Sequence, residues 1–453
     1  MPTYQQHPSS FRDPSGFVFQ SAGKLYRQIN TSYQSDYELL MGSGLYQQLV
    51  DQRMLIPHEE IGDSQVGQPG KFKTILPEFI PFISYPYEWC FEELQDAALV
   101  TLNIMKASID HGMILKDATP YNIQFISGTP VHIDTLSFEK YNESKPWIAY
   151  RQFCETFLYP LVVSKYSLME VHRMFHAYPE GMPAKSAAAM LPTKARFNLG
   201  NWLHIFLPAS VAPGEKNEKV SFNKNKLTRI IDHLLQIIGS LEPPSNKNSV
   251  WKNYYDKDIL SEEYLSNKES IVSKMISVEG KNVLDLGSNQ GVFSKLLASR
   301  QNNVVAVDND AFSISVLYRQ VKKEALNILP LCIDVSNPPG SGGFMNGERK
   351  SFTERKKFDL CIALALVHHL CIGKNIPLSN LAELFTKMCS ELIIEFVPKE
   401  DEKVQQLLKS REDIFEAYNQ QAFETAFSQQ FSIQEKQEVP GSRRVIYKMK
   451  LTG

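Results

Sequence analysis

Residues 281–310, KNVLDLGSNQGVFSKLLASRQNNVVAVDND, decide the fold of the C-terminal half of the chain. An apolar run ends at Asp285 and is followed by a glycine-containing loop. An amphipathic stretch, 292–299, leads to a second apolar run, which ends at Asp308. This order of strand, turn, helix, strand and acid predicts the first βαβ unit of a doubly wound sheet, with a nucleoside site at the carboxyl ends of its strands.

The loop after the first strand has small or amide side chains at Gly287, Ser288, Asn289 and Gly291. Glycine allows the backbone to approach a ligand where a Cβ would intrude. The spacing is G-x-x-x-G, whereas a dinucleotide site needs G-x-G-x-x-G. Asp285 suits a cationic ligand and repels a pyrophosphate, and Asp308 is placed to accept hydrogen bonds from two ribose hydroxyls.

This segment resembles motif I and the following acid of the class I S-adenosylmethionine-dependent methyltransferases. The resemblance covers about 280–453 and implies a Rossmann-like, seven-stranded α/β domain. It also implies S-adenosylmethionine as cofactor, bound by Asp285, Gly287, Ser288, Asn289, Gly291 and Asp308. The alternative is a degenerate nucleotide-binding fold that has lost its ligand.

Three further strands and a terminal hairpin are predicted in this half, at 327–333, 358–365, 391–396 and 431–451. Asp334 ends the third strand. In the resembled family an acid at this position usually holds the adenine amino group, but Asp334 also suits a cap for the turn that follows it.

Candidate catalytic residues follow the fourth and fifth strands. His368 and His369 lie where an acceptor would approach the methyl group, and either suits the role of general base near neutral pH. Glu395 is a rival base or a partner for a histidine. The alternative for each histidine is packing within its loop. The long insertion 338–357 suits either an acceptor-binding loop or a mobile one.

Composition sets the outer limits. A chain of 453 residues with 43% apolar and 22% charged residues predicts a soluble protein of two or three domains. The net charge of −2 gives no broad footprint for nucleic acid. Six cysteines without a CxxC pair indicate buried free thiols, and no metal site is predicted. Without a leader peptide or a membrane-length apolar run, a cytoplasmic location is expected.

A Pro/Ser/Asn-rich linker at 241–250 divides the chain into an N-terminal domain, 1–240, and a methyltransferase domain, 251–453. Trp251 and Tyr255 follow the linker. They are candidates either for a lid over the cofactor or for packing a helix onto the sheet.

The N-terminal half carries a second spacing. A helix predicted at 94–111 is followed by Asp117, by Asn122 five residues later, and by Asp134 after a hairpin. This spacing resembles the catalytic and metal loops of protein kinases and aminoglycoside phosphotransferases, which implies an α+β kinase-like domain. The resemblance implies that Asp117 orients an acceptor hydroxyl and that the other two residues bind Mg²⁺ with ATP.

Several features depart from that pattern. Leu115 replaces the kinase histidine, no glycine-rich phosphate loop is present, and Thr135-Leu136 follows the second acid. No strand lysine is evident, although Lys24 or Arg27 is a candidate replacement. The sequence therefore predicts a kinase-like module that has lost phosphoryl transfer. Mg²⁺ and ATP are expected as its ligands only if the module is active. The alternative is that Asp117 and Asn122 merely cap loops.

Three functions are compatible with these patterns. The first is a methyltransferase acting on an unidentified acceptor, with the N-terminal module holding that acceptor. The second is a bifunctional kinase-methyltransferase, and the third is a non-catalytic scaffold that binds S-adenosylmethionine. The combination is similar to bacterial enzymes that modify surface polysaccharides or nodulation-type glycolipids, which suggests a saccharide or lipid-linked saccharide as acceptor.

Overall fold

The computed structural model describes residues 5–62, 70–211, 223–244, 262–409 and 412–452. The chain divides into two compact units, Met1–Asn246 with Gly343–Arg349, and Lys247–Gly342 with Lys350–Gly453. Most of the predicted linker and the candidate lid residues Trp251 and Tyr255 lie outside the described residues.

The N-terminal unit begins with an antiparallel sheet of five strands in the order β1-β2-β3-β5-β4. The strands are β1 (Gln5–Gln6), β2 (Gly16–Ser21), β3 (Lys24–Asn30), β4 (His58–Ile61) and β5 (Lys71–Pro77). Between β3 and β4 lie helices α1 (Gln34–Gly42) and α2 (Leu45–Asp51). Ile29 of β3 and Ile75 of β5 pack with Tyr37 of α1 in a buried apolar cluster.

The predicted helix at 94–111 is confirmed as α3 (Phe91–Asp110). Glu93 accepts a hydrogen bond from the Cys90 backbone N–H and so caps its first turn. Two short antiparallel pairs follow, β6 (Met113–Leu115) with β9 (Phe138–Lys140), and β7 (Ile123–Ile126) with β8 (Thr129–His132).

The remainder of the N-terminal unit is helical. Its α-helices are α4 (Tyr150–Phe153), α5 (Tyr159–Ser167), α6 (Val171–Ala177), α7 (Ala184–Met190), α8 (Leu199–Asn201), α9 (Leu207–Ser210) and α10 (Lys224–Gly239). Two π-helical turns, Cys154–Leu158 and Trp202–Phe206, join α4 to α5 and α8 to α9.

The C-terminal unit contains a sheet of seven strands in the order β12-β11-β10-β13-β14-β16-β15. The strands are β10 (Asn282–Leu286), β11 (Asn303–Asp308), β12 (Ile328–Cys332), β13 (Phe358–Ala363), β14 (Cys389–Phe396), β15 (Phe431–Glu438) and β16 (Val445–Leu451). The first five are parallel, and the last two form the predicted antiparallel hairpin. The predicted seven-stranded Rossmann-like sheet is therefore present.

Helices flank this sheet and contribute to its apolar core. They are α11 (Glu262–Met275), α12 (Val292–Ala298), α13 (Ala311–Glu324), α14 (Phe352–Arg355), α15 (Val367–Cys371), α16 (Leu378–Met388), α17 (Glu402–Leu408) and α18 (Gln420–Ser428). The parallel strands are near-continuous apolar runs because both of their faces are covered. The strand order reverses between β10 and β13, and a ligand crevice forms at such a switch point.

The insertion at 338–357 does not belong to one unit throughout. Gly343–Arg349 is part of the N-terminal unit. The guanidinium of Arg349 lies 5.0 Å from the Tyr121 ring centroid, and Glu348 forms an ion pair of 2.5 Å with Arg12. Sequence position alone would assign this segment to the methyltransferase domain.

Two further observations concern the whole of the described chain. All six cysteines are buried and free, as the sequence predicts. In the described ranges, no helix has the length and apolar character needed to cross a bilayer.

The turn from β10 into α12 depends on Gly291, and this generates a test. Its φ is +79°, and a Cβ there would lie 2.4 Å from Leu317 Cδ1. Gly441 has a similar φ, +77°, with nothing within 4 Å of a Cβ, and so serves as the matched control. We expect Gly441→Ala to cost about 1 kcal/mol in the free energy of unfolding.

Gly291→Ala should cost about 2 kcal/mol more than that, because it adds overpacking against a buried leucine. Urea denaturation followed by circular dichroism measures both changes. Equal losses for the two variants would show that the contact with Leu317 is unimportant.

Candidate functional site

The loop after β10 is folded back onto the end of β11. Gly287 and Asn289 both have positive φ, 76° and 48°. The backbone N–H groups of Gly287 and Ser288 donate to the Val307 carbonyl at 2.8 and 3.0 Å. The loop backbone therefore lies at the carboxyl ends of two adjacent strands, where a ligand can contact it directly.

Asp308 holds this loop in place and retains acceptor capacity. Its Oδ2 accepts from the Asn289 N–H at 2.8 Å and its Oδ1 from the Asp310 N–H at 2.9 Å. Burial raises its pKa. Because each carboxylate oxygen has two lone pairs, both can also accept from a ligand hydroxyl.

Asp285 is buried within β10. Its Oδ2 accepts a hydrogen bond of 2.6 Å from Ser294 Oγ on α12. Burial raises its pKa to about 6, the Ser294 hydrogen bond opposes this shift, and the charge of Asp308 adds to it. A pair of neighbouring carboxylates in a desolvated site is stabilised by a cation.

Ser288 supplies an unsatisfied polar atom at the same place. It is buried, and its Oγ has no hydrogen-bond partner among the described residues. A buried hydroxyl without a partner is costly unless a ligand or water completes it. Two acids, two glycines and a free hydroxyl fit a cationic nucleoside such as S-adenosylmethionine.

Asp334 lies just after β12 and is engaged in a turn. Its Oδ1 accepts from the Ser336 N–H at 2.9 Å and from Ser336 Oγ at 2.5 Å, and Lys374 Nζ lies 3.4 Å from its Oδ2. These contacts are those of a turn-capping aspartate. The contact with an adenine amino group stays a prediction.

Both candidate histidines lie on α15. His368 is fully buried, and neither of its ring nitrogens has a hydrogen-bond partner among the described residues. Burial, with His369 and Arg444 nearby, lowers its pKa well below the usual range. Burial also lowers the pKa of His369, to about 4. Both imidazoles are therefore neutral at neutral pH.

Glu395 is the centre of a buried polar network. Its carboxylate accepts from Lys268 Nζ at 2.7 Å, from Tyr264 Oη at 3.1 Å and from the Ala365 N–H at 2.7 Å. Burial opposes its ionisation, but Lys268 and Arg444 lower its pKa overall. In the described part of the chain it bonds to neither histidine. This geometry favours an architectural role for Glu395 over that of a base.

Sequence reasoning missed the partners of Glu395. Tyr264 and Lys268 lie on α11, in a stretch rich in charged residues that looks solvent-exposed, and Arg444 lies next to the hairpin turn. Arg444 also binds Asp401, at 2.7 and 3.0 Å. No local pattern distinguishes these residues from surface charges, because only the folded chain buries them.

The N-terminal unit brings Asp117, Asn122 and Asp134 together. Asp117 accepts a hydrogen bond of 2.8 Å from Gln152, and burial raises its pKa, an effect that Gln152 and Asn122 oppose. Asn122 Nδ2 donates to Ser137 Oγ at 3.2 Å, and Ser137 Oγ donates to Asp134 at 2.6 Å. Hydrogen bonds through Ser137 therefore link Asn122 to Asp134, and Asp117 lies beside them.

A built-in cation neutralises this cluster. Arg27, on β3, forms an ion pair of 2.6 Å with Asp134. Burial opposes the ionisation of Asp134, yet Arg27 holds its pKa below the usual range. The described ranges contain no cluster of three or more His, Cys, Asp or Glu side chains suited to a metal ion.

The ribose assignment predicts a loss of cofactor affinity in Asp308→Ala. We expect binding of S-adenosylmethionine to weaken by about 1–3 kcal/mol, because hydroxyl donors lose their acceptor. Asp359→Ala is the matched control, since Asp359 accepts a similar backbone hydrogen bond from Asn282, at 3.0 Å, at the start of the strands. Calorimetry that gave equal affinities for wild type and Asp308→Ala would refute the assignment.

The raised pKa of Asp285 predicts that cofactor affinity depends on pH. The carboxyl group is charged above about pH 6 and neutral below it. Affinity for a cationic ligand should fall as pH decreases through this value, by up to about tenfold per pH unit. Ser294→Ala should move the fall to higher pH, because it removes a hydrogen bond that favours the charged form. Calorimetry showing no change across this range would contradict the role of Asp285.

Comparisons with known proteins find one matching family model and several similar solved structures. Residues 250–338 match the family model described as tellurite resistance protein TehB. Among solved structures, N-methyltransferase NodS from Bradyrhizobium japonicum WM9 is 12% identical, with a TM-score of 0.33, covering 43% of this chain and 99% of that one. The bifunctional kinase-methyltransferase WbdD is 18% identical, with a TM-score of 0.29, covering 42% of this chain and 38% of that one.

One curated relative spans nearly the whole chain. Nodulation protein NoeA of Rhizobium meliloti (strain 1021) is 33% identical over 451 residues, which cover 97% of this chain and 94% of that protein. Similarity at this level along both proteins shows common descent throughout. The chain thus belongs to the family of nodulation protein NoeA.

Proposed function

We propose that this protein is an S-adenosylmethionine-dependent methyltransferase whose acceptor is a saccharide or a lipid-linked saccharide. The observation that carries the proposal is the glycine loop after β10, which Asp308 orders beside the buried Asp285 and the free hydroxyl of Ser288. Such a site has acceptors for ribose hydroxyls and negative charge for a cation, and its two carboxylates would repel a pyrophosphate.

Three residues of the chain would each bind a different part of S-adenosylmethionine. Asp308 would accept from the ribose hydroxyls, Asp285 would balance positive charge, and Ser288 would bond to a polar group of the ligand. When bound, S-adenosylmethionine supplies an electrophilic methyl group. The protein then has to align an acceptor, exclude water and remove a proton where the acceptor carries one.

His368 and His369 remain the proposed bases. Both imidazoles are neutral at neutral pH, so each has a nitrogen lone pair that can accept a proton. Their lowered pKa values make both imidazoles weaker bases than an ordinary histidine. Glu395 would act indirectly, because it binds the N–H of Ala365, whose φ of 52° is strained, and so sets the path of the chain into α15.

Several contacts support a kinase-like N-terminal unit. Its sheet order, the pairing of the β3 cation with Asp134, and the polar cluster at Asp117 and Asn122 fit that fold. Two other features speak against retained phosphoryl transfer. Arg27 already neutralises Asp134, and residues 7–15, which connect β1 to β2, contain no glycine to hold phosphates.

The same unit is proposed to hold the acceptor. The connection from β1 to β2 folds onto the loop before Asp117, where Lys116 Nζ donates to Ser15 Oγ at 2.8 Å. Asp117, Asn122 and Gln152 supply carboxylate and amide groups, which are suited to sugar hydroxyls. The acceptor class rests on this chemistry and on the pairing of the two units in one chain.

The test uses the full chain with methyl-labelled S-adenosylmethionine and saccharide or lipid extracts. We expect a labelled product, and we expect Asp308→Ala to reduce its formation. With the product identified, Asp117→Ala should raise the KM for the acceptor and leave cofactor affinity unchanged, because it removes uniform binding.

Glu139→Ala, a change to a neighbouring acidic residue outside the polar cluster, is the control for Asp117→Ala. Absence of any labelled product while the cofactor binds tightly would favour a non-catalytic scaffold. ATP hydrolysis abolished by Asp134→Ala would replace the acceptor-holding role with a bifunctional kinase-methyltransferase.

A further inference from the structure

A helical run in the N-terminal unit carries apolar side chains on its outer, exposed side. It consists of α8, the π-helical turn Trp202–Phe206, and α9. Its inner side packs into the unit through Asn201, His204 and Ile205. Its outer side carries Leu199 and Trp202, which are 67% and 46% exposed. The exposed side of a surface helix is normally polar, whereas the exposed side of this run is largely apolar.

The exposed apolar side chains extend beyond the run at both ends. Phe197, just before it, is 88% exposed, and Val211, just after it, is also exposed. We define the apolar face as Phe197, Leu199, Trp202, Leu207 and Val211. Single exposed apolar residues are ordinary, but a cluster within one short segment marks an interaction surface.

The charged residues within the segment that carries the apolar face are all basic. Residues 181–214 contain no Asp or Glu, in a chain whose net charge is −2. The cations in that stretch, Lys185, Lys194 and Arg196, are exposed. None of the three forms an ion pair among the described residues. The segment therefore combines exposed apolar side chains with basic residues that have no acidic partner within it.

Arg196 shows how the two properties combine. Its guanidinium lies 5.1 Å from the centroid of the Phe206 ring, on the same helical run. A long basic side chain that covers apolar surface with its stem and keeps its charge in water is suited to a lipid headgroup layer. Tryptophan is likewise favoured at that depth, because its ring is apolar and its N–H is polar.

Two other partners for the apolar face, a second copy of the chain and the segment that follows it, fit less well than a lipid surface. A second copy of the chain, paired symmetrically through this face, would bring Lys194 and Arg196 close to their own counterparts. The segment that follows, 212–222, reads APGEKNEKVSF and has only Val220 and Phe222 as large apolar residues. It offers little apolar area with which to cover the face.

We propose that the apolar face docks on an anionic lipid bilayer, with its side chains in the interfacial region and the basic residues against the headgroups. The attraction combines burial of apolar area with charge, as in other peripheral surfaces of this chemistry. This lipid binding does not require methyl transfer, so its test is independent of the proposed function.

The experiment measures sedimentation of the full chain with two kinds of vesicle, phosphatidylcholine alone and phosphatidylcholine mixed with phosphatidylglycerol. We expect binding to the anionic vesicles that weakens as salt is added. The double variant Phe197→Ser/Trp202→Ser and the charge variant Lys194→Glu/Arg196→Glu should each weaken it by about tenfold or more. Phe79→Ser, which changes a residue that is 70% exposed in the same unit, is the control and should bind as wild type does.

Circular dichroism confirms that each variant is folded, and the charge variant alters only exposed side chains, so it remains informative if the apolar variant unfolds. Failure of the wild type to bind anionic vesicles would overturn the proposal. Equal binding by the wild type and the charge variant would do the same. A dimer in light scattering that the apolar variant converts to a monomer would identify the face as an interface between copies instead.

Discussion

The buried carboxylate of Glu395 fixes the positions of three separate segments at the carboxyl edge of the C-terminal sheet. It binds Lys268 and Tyr264 of α11, the Ala365 N–H after β13, and lies 3.9 Å from Arg444 beside β16. Removing one partner of a buried ion pair leaves an uncompensated charge, which is strongly destabilising. This network therefore fixes the conformation of the loop that leads to the candidate bases.

The two units handle buried acids in opposite ways. In the C-terminal unit burial and the charge of Asp308 raise the pKa of Asp285, and Lys268 offsets only part of this rise, so a cationic ligand would be favoured there. In the N-terminal unit Arg27 supplies that charge permanently to Asp134. Buried acidic side chains thus favour a cationic ligand in the C-terminal unit, whereas in the N-terminal unit a side chain of the protein already neutralises them.

Much of the C-terminal fold was predictable because its information is local. The apolar runs of β10 and β11, the intervening glycine loop and the acid at 308 specify a βαβ unit through neighbouring residues alone. The terminal hairpin was also predictable, because a glycine-containing turn separates its two strands. The N-terminal sheet was harder to predict, because β3 pairs with β5 across two intervening helices and its strands have no comparable motif.

The sequence by itself determined the cofactor-type loop, the doubly wound sheet and the spacing of Asp117, Asn122 and Asp134, since each depends on short-range periodicity and turn chemistry. Only the tertiary structure decided which charges are buried and what they contact. It showed that Arg27 neutralises Asp134, that Glu395 is held by Lys268, and that Gly343–Arg349 joins the N-terminal unit. These features join residues far apart in the chain, and burial, which sets their energy, is a property of the folded molecule.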